Sequence, residues 1–139
     1  MHECPSGQCR ARAGAAAVRG LVAVPVWWAW PTGVGAVESA GEVDVARLVV
    51  GRATARAGLA RRPEAVTLLA SADHPEDHAC ATYIEGLLRG EEPDVDSLLQ
   101  PLRASARFAR AKSGTWPGFP PTDLELALIT DRFDFAMPA

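Results

Sequence analysis

The sequence predicts an α/β fold: a small single domain, layered α/β/α around a mostly parallel sheet. Three observations carry that expectation. Short runs rich in β-branched residues, Leu21 to Val26, Val45 to Val50 and Val66 to Ala70, have strand length and are bounded by Gly, Pro or Ser. Helix-compatible stretches separate and follow them, which is the order of a βαβ unit with its right-handed crossover. The 139 residues, 48% hydrophobic and 22% charged, hold enough apolar material for one core.

Residues 1–19 are Ala, Gly and Arg without a sustained pattern and read as a loose N-terminal segment, apart from a helix-compatible stretch over Ala11 to Arg19; residues 20–139 make the domain. After the first strand, Trp27, Trp28 and Trp30 stand beside Pro25 and Pro31. Such a cluster reads first as a core edge or subunit contact, with a stacking platform for a sugar or a base as the alternative. Thr32 to Gly41 is a Gly-rich loop. Gly51 ends the second strand, and Arg52 to Arg62 is helical until Pro63.

The best-marked helix follows the third strand. Asp73 and Glu76 have capping-box spacing, and Pro75 suits a first turn that has no use for its missing donor. Cys80, Tyr83, Ile84, Leu87 and Leu88 form the apolar stripe, Asp77, Thr82, Glu85 and Arg89 are assigned to other faces, and Gly90 closes the helix. Beyond it come an acidic turn at Glu91 to Asp94, a short amphipathic helix over Val95 to Leu102, and helical composition over Arg103 to Lys112 with Arg103, Arg107 and Arg110 read as a solvated face. Ser113 to Pro121 is a loop. Thr122 and Glu125 mark a last helix, and the alternation of Phe133, Asp134 and Phe135 predicts a half-buried edge strand running to Met137.

Charge and cysteine content narrow the function classes. A net charge of -3 with no dense basic stripe offers no electrostatic case for nucleic acid. The apolar run Leu21 to Trp30 is broken by Pro25 and falls far short of a membrane span, so no membrane partner is expected. Three cysteines, Cys4, Cys9 and Cys80, are too few for a disulfide framework and fit a reducing, cytoplasmic setting. Cys4 and Cys9 lack two further good ligands for zinc, and Cys80 lies on an apolar stripe and reads as core packing.

The chemistry-bearing residues gather at the start of the best-marked helix. Asp73, His74, Glu76, Asp77 and His78 follow a strand end, where ligands collect in open α/β sheets. Carboxylates there can hold a hard cation, which can then hold a phosphate. The helix macrodipole favours acidic residues in a first turn by itself, so a structural role stands beside the metal-holding one.

An ordered series of short motifs then suggests a family. Gly51-Arg52, the strand Val66 to Ala70, the run Glu76 to Ile84, Leu102-Arg103-Ala104-Ser105, Asp123-Leu124 and Asp131-Arg132-Phe133-Asp134-Phe135 resemble the C-terminal part of the 2-phosphosulfolactate phosphatase family. The similarity spans residues 45–139. The resemblance implies an α/β/α fold, Mg²⁺-dependent hydrolysis of a phosphorylated 2-hydroxy acid, and a link to coenzyme M biosynthesis. It also implies residue roles, with Glu76 and Asp77 at the metal and Arg52 and Ser105 toward the phosphorylated substrate. Members of the family are longer and carry an Asp-Val-Leu-Arg-Ala-Thr-Thr type segment that this chain does not contain, and they place Asn where Ala53 stands. The chain therefore resembles a truncated or divergent member. The rival class is a non-catalytic α/β interaction domain working as part of a homo-oligomer.

Overall fold

The computed structural model describes residues 8–11, 21–25, 42–70 and 73–138. The class is mixed α/β. Five strands, β1 (Gln8–Ala11), β2 (Leu21–Pro25), β3 (Glu42–Ala46), β4 (Val66–Leu69) and β5 (Met137–Pro138), form one sheet in the order β1-β4-β2-β3-β5. Its centre is parallel: β2 pairs with β3 on one side and with β4 on the other. Both outer pairings are antiparallel, β1 on β4 and β5 on β3. The pairings are thus evenly divided, and the expected mostly parallel sheet gives way to a mixed one.

Among the described residues, helices α1 (Gly51–Ala60) and α2 (Pro75–Leu88) follow β3 and β4, and three shorter helices come after them: α3 (Val95–Arg103), α4 (Ala106–Lys112) and α5 (Pro121–Ala127). The parallel register puts Asp44, Ala46, Val66 and Leu68 on one face of the sheet, and all four are buried. That face meets the helices. Small residues on α1, Ala53, Ala55 and Gly58, let its backbone come close, and Gly51 lies directly against the Tyr83 ring of α2. The expected stripe of α2 is the core: Cys80, Tyr83, Ile84, Leu87 and Leu88 are all buried, joined by Leu99 and Leu102 from α3. Gly90, at φ 77°, closes the helix in the left-handed conformation that glycine enters without strain.

Several boundaries differ from expectation, each for a local reason. β3 lies earlier than the Val45 to Val50 run, because Leu48–Val50 winds into a 3₁₀ turn that leads straight into α1. The early register buries Asp44, a charge that a pattern of apolar residues does not favour. Arg61, at the end of α1, donates through both terminal nitrogens to the two Asp44 oxygens, and its Nε lies 3.2 Å from Glu42 Oε2. A buried carboxylate is tolerated only when paired in this way.

Neither expected capping box forms. The cap of α2 is His74 and that of α5 is Pro120, neither with a side-chain cap bond, while Asp73 instead lies 2.6 Å from His78 Nε2. The caps that do form are Asp94 on α3 and Ser105 on α4. At the C-terminus only Met137 and Pro138 pair as strand; Phe133 and Phe135 are both exposed and lean on each other, ring centroids 5.6 Å apart. The expected loose N-terminal segment contains β1, an edge strand. Trp27, Trp28, Trp30 and Cys4 lie outside the described residues. No helix among the described residues is long and apolar enough to cross a membrane.

Close packing at the start of α1 makes a direct prediction. A Cβ at Gly51 would lie 2.8 Å from Tyr83 Cε1 and 2.9 Å from Cδ1, closer than carbon atoms pack. Gly51→Ala should therefore destabilise the domain by about 1–3 kcal/mol, read as a lowered urea midpoint with unchanged slope.

Candidate functional site

A cavity of about 450 Å³ opens at the carboxyl ends of β3 and β4. Its walls come from three places. The turn after β3 supplies Arg47, Leu48 and Val49; the first turns of α2 supply Glu76, Asp77 and Cys80; and α5 with the segment after it supplies Asp123, Leu126, Leu128, Arg132 and Phe133. Leu102 and Phe119 close the apolar end. The volume is that of a small-molecule site, and the carboxyl edge of parallel strands is where such sites form in open α/β sheets.

Glu76 and Asp77 are buried, not solvent-facing as acidic residues of a first turn usually are. Glu76 is 7% exposed; its Oε1 accepts from Arg107 Nε at 2.6 Å, while Oε2 is buried without a hydrogen-bond partner. Sequence spacing contained this signal. Asp77 precedes Cys80 by three and Ile84 by seven, and Glu76 precedes Cys80 by four and Tyr83 by seven, so both carboxylates belong to the apolar stripe rather than to other faces. Cys80 sits between them and the core. Burial, with the Asp77 charge nearby, pushes its thiol up to about 12, which makes it inert packing as expected.

The two residues expected on the substrate side lie elsewhere. Arg52 does not line the cavity: its Nη1 and Nη2 donate to the Glu92 carboxylate at 3.0 and 2.8 Å, and its Nε donates to Asp131 Oδ2 at 3.1 Å. These bonds, to Glu92 first and Asp131 next, hold the guanidinium firmly in its charged form, and Arg52 in turn lowers Glu92. Its fork is engaged by acids already in the chain, so the expected convergence of Arg52 with Glu76 and Asp77 does not occur. Ser105 caps α4, its Oγ accepting from Phe108 N at 3.0 Å, and it too is absent from the cavity wall. The cations at the cavity are instead Arg47, directly after β3, and Arg132, beside the clamped Asp131.

That clamp holds one wall in place. Asp131 has φ 51°, a left-handed conformation that Asp tolerates better than most residues. Its backbone N donates to Leu48 O at 2.9 Å, and Phe133 N donates to Val49 O at 3.0 Å. Its carboxylate accepts from Arg52 N at 2.8 Å, satisfying a free amide at the start of α1, and from Tyr83 OH. The segment carrying Arg132 and Phe133 is thereby pinned to the turn that carries Arg47 and Leu48.

With this geometry in hand, no protein-family model matches the chain, and no curated protein or solved structure matches it either. Among the described residues no group of three or more His, Cys, Asp or Glu could hold a metal ion by itself.

The buried proton donors of α2 set an alkaline limit. Burial first, and the bond to Asp131 second, push Tyr83 from 10.0 up to about 12, and Cys80 rises from 9.0 to about 12. Both keep their protons in the fold at pH values where the unfolded chain has begun to release them. Their contribution is complete below pH 9 and is lost as pH rises toward 12. Urea midpoints should fall over that window, and Tyr83→Phe should flatten the fall above pH 10.

Proposed function

We propose that this chain is a Mg²⁺-dependent phosphatase-like α/β protein acting on a phosphorylated 2-hydroxy acid, of the 2-phosphosulfolactate phosphatase type. The observation that carries this reading is Glu76, nine-tenths buried and with Oε2 unpartnered, in a cavity wall that also holds Asp77, Arg47 and Arg132. Hard oxygen donors suit Mg²⁺, which is usually held by one or two carboxylates, with waters and phosphate oxygens filling its remaining positions. Glu76 and Asp77 supply that number, so the donor set fits the ion. Bound there, Mg²⁺ would neutralise phosphate oxygens and lower the pKa of a coordinated water.

The chain's own residues divide the remaining work. Arg47 and Arg132 meet the anionic end of the substrate, taking the place first expected of Arg52 and Ser105. Leu48, Leu102, Phe119 and Leu128 exclude water, which strengthens every charged contact inside. The same reading carries the α/β/α layering expected of the family: the sheet face opposite the helices bears Val43, Val45, Thr67 and Leu69, all half-buried. It also carries the cytoplasmic setting of a small-metabolite enzyme.

Phosphate release from phosphosulfolactate and phosphoglycolate, measured colorimetrically with and without Mg²⁺, tests it. Release should require Mg²⁺ and fall by more than about 100-fold in Glu76→Gln and in Asp77→Asn, beyond the loss typical of groups that only support a ligand. Ser105→Ala should keep its rate while losing about 1 kcal/mol of stability through its cap. Metal-independent release removes the Mg²⁺ role, and no release removes the enzymatic reading.

A second reading is favoured by exposed apolar residues around the cavity mouth. Leu126, Phe133 and Phe135 are 50%, 45% and 52% exposed, and the first two line the cavity. A non-catalytic domain that buries this patch in a homo-oligomer would elute as a stable oligomer by light scattering and release no phosphate; an active monomer excludes it.

A further inference from the structure

We infer that Arg107 is a positioning residue for Glu76, set in place by the face of Trp116; the inference rests on the metal role proposed for Glu76. Among the described residues Asp44, Glu76 and Asp77 are buried carboxylates, and the first two are handled differently. Asp44, fully buried, receives a bond from Arg61 on each of its oxygens. Glu76, almost as deep and part of the cavity wall, receives Arg107 Nε on Oε1, and its buried Oε2 is left without a partner. A purely structural ion pair at that depth is stable when both oxygens are satisfied. One satisfied oxygen and one bare oxygen is the arrangement of a carboxylate held at one atom with bonding capacity left at the other.

Arg107 is itself held. Its guanidinium carbon lies 4.6 Å from the centroid of the Trp116 ring, and the Arg110 guanidinium shares that ring at 5.3 Å. Cation–π contact of this kind fixes the plane of a guanidinium without using its donors. Trp116 in turn leans on Phe119, centroids 5.8 Å apart, and Phe119 is part of the cavity wall. A carboxylate bound at one oxygen loses rotation about its terminal torsion, so this chain of contacts fixes the orientation of the Glu76 carboxylate in the cavity wall. The basic face expected to be solvated thus has its middle member turned inward.

The test uses the full chain and three measurements: the thermal midpoint, Mn²⁺ affinity by electron paramagnetic resonance as a probe for Mg²⁺, and the ¹³C signal of the Glu76 carboxyl without metal, assigned with Glu76→Gln. In Arg107→Gln the carboxyl signal should move and Mn²⁺ binding should weaken by about 10–100-fold, the cost typical of losing a ligand's supporting partner. Arg107→Lys, which keeps a cationic donor, should recover most of that affinity, and Trp116→Leu should move the carboxyl signal while Arg107 is still present. A lowered midpoint with the carboxyl signal and Mn²⁺ affinity both unchanged in Arg107→Gln overturns the inference. Where Arg107→Gln does not fold, Arg107→Lys and Trp116→Leu decide by the same two readouts. Absence of Mn²⁺ binding in the parent chain overturns the metal role instead, and the metal-free carboxyl signal then decides the positioning claim alone, a moved signal supporting it and an unmoved one sinking it.

Discussion

The side chain of Asp131 is the point at which distant parts of the chain are tied together. It accepts from the backbone of Arg52 at the start of α1, from the Arg52 side chain, and from the hydroxyl of Tyr83 on α2. Those partners lie 79 and 48 residues away in sequence. Long-range bonds of this sort order a tail that has little apolar burial of its own, since Phe133 and Phe135 remain exposed. Two backbone bonds, to Leu48 and Val49, and the Arg56–Asp134 ion pair also hold the segment bearing Arg132 and Phe133. The glycine at position 51 is part of the same constraint, because Tyr83 can reach Asp131 only if nothing stands between its ring and the first turn of α1.

Charge is managed on the buried side of this small domain by arginines that arrive from later elements. Arg61 crosses from the end of α1 to Asp44 on β3, and Arg107 crosses from α4 to Glu76 on α2. The first pair closes upon itself and contributes structure. The second leaves one oxygen of Glu76 bare, on a residue that lines the cavity together with Asp77. The metal role proposed for Glu76 rests on that asymmetry. An acid that would be expensive in a core becomes useful where a ligand can complete its bonding.

Local pattern and tertiary accounting part company at identifiable residues. The stripe of α2, the closing Gly90 and the helices of the second half follow from periodicity and from Gly and Pro placement, which depend on neighbours three or four residues away. The strand at Glu42–Ala46 was obscured by Asp44, whose partner Arg61 lies 17 residues later. Asp73 and Thr122 have capping-box spacing but do not cap, because Asp73 bonds His78 and α5 begins at Pro121 instead. Glu76 and Asp77 were legible as acidic residues of a first turn, and their stripe spacing pointed inward as well. Arg52 was legible as a cation at a helix start; that Glu92 and Asp131 already occupy its fork was not.

By itself the sequence determined the α/β class, the long buried helix with two acidic residues in its first turn, and the net charge of -3, since each depends on composition or short-range periodicity. Only the tertiary structure decided which cations reach the cavity, how the sheet divides between parallel and antiparallel pairings, and which oxygen of Glu76 stays bare. Those outcomes depend on contacts between residues tens of positions apart, and chain closure over such distances leaves no trace in a local pattern.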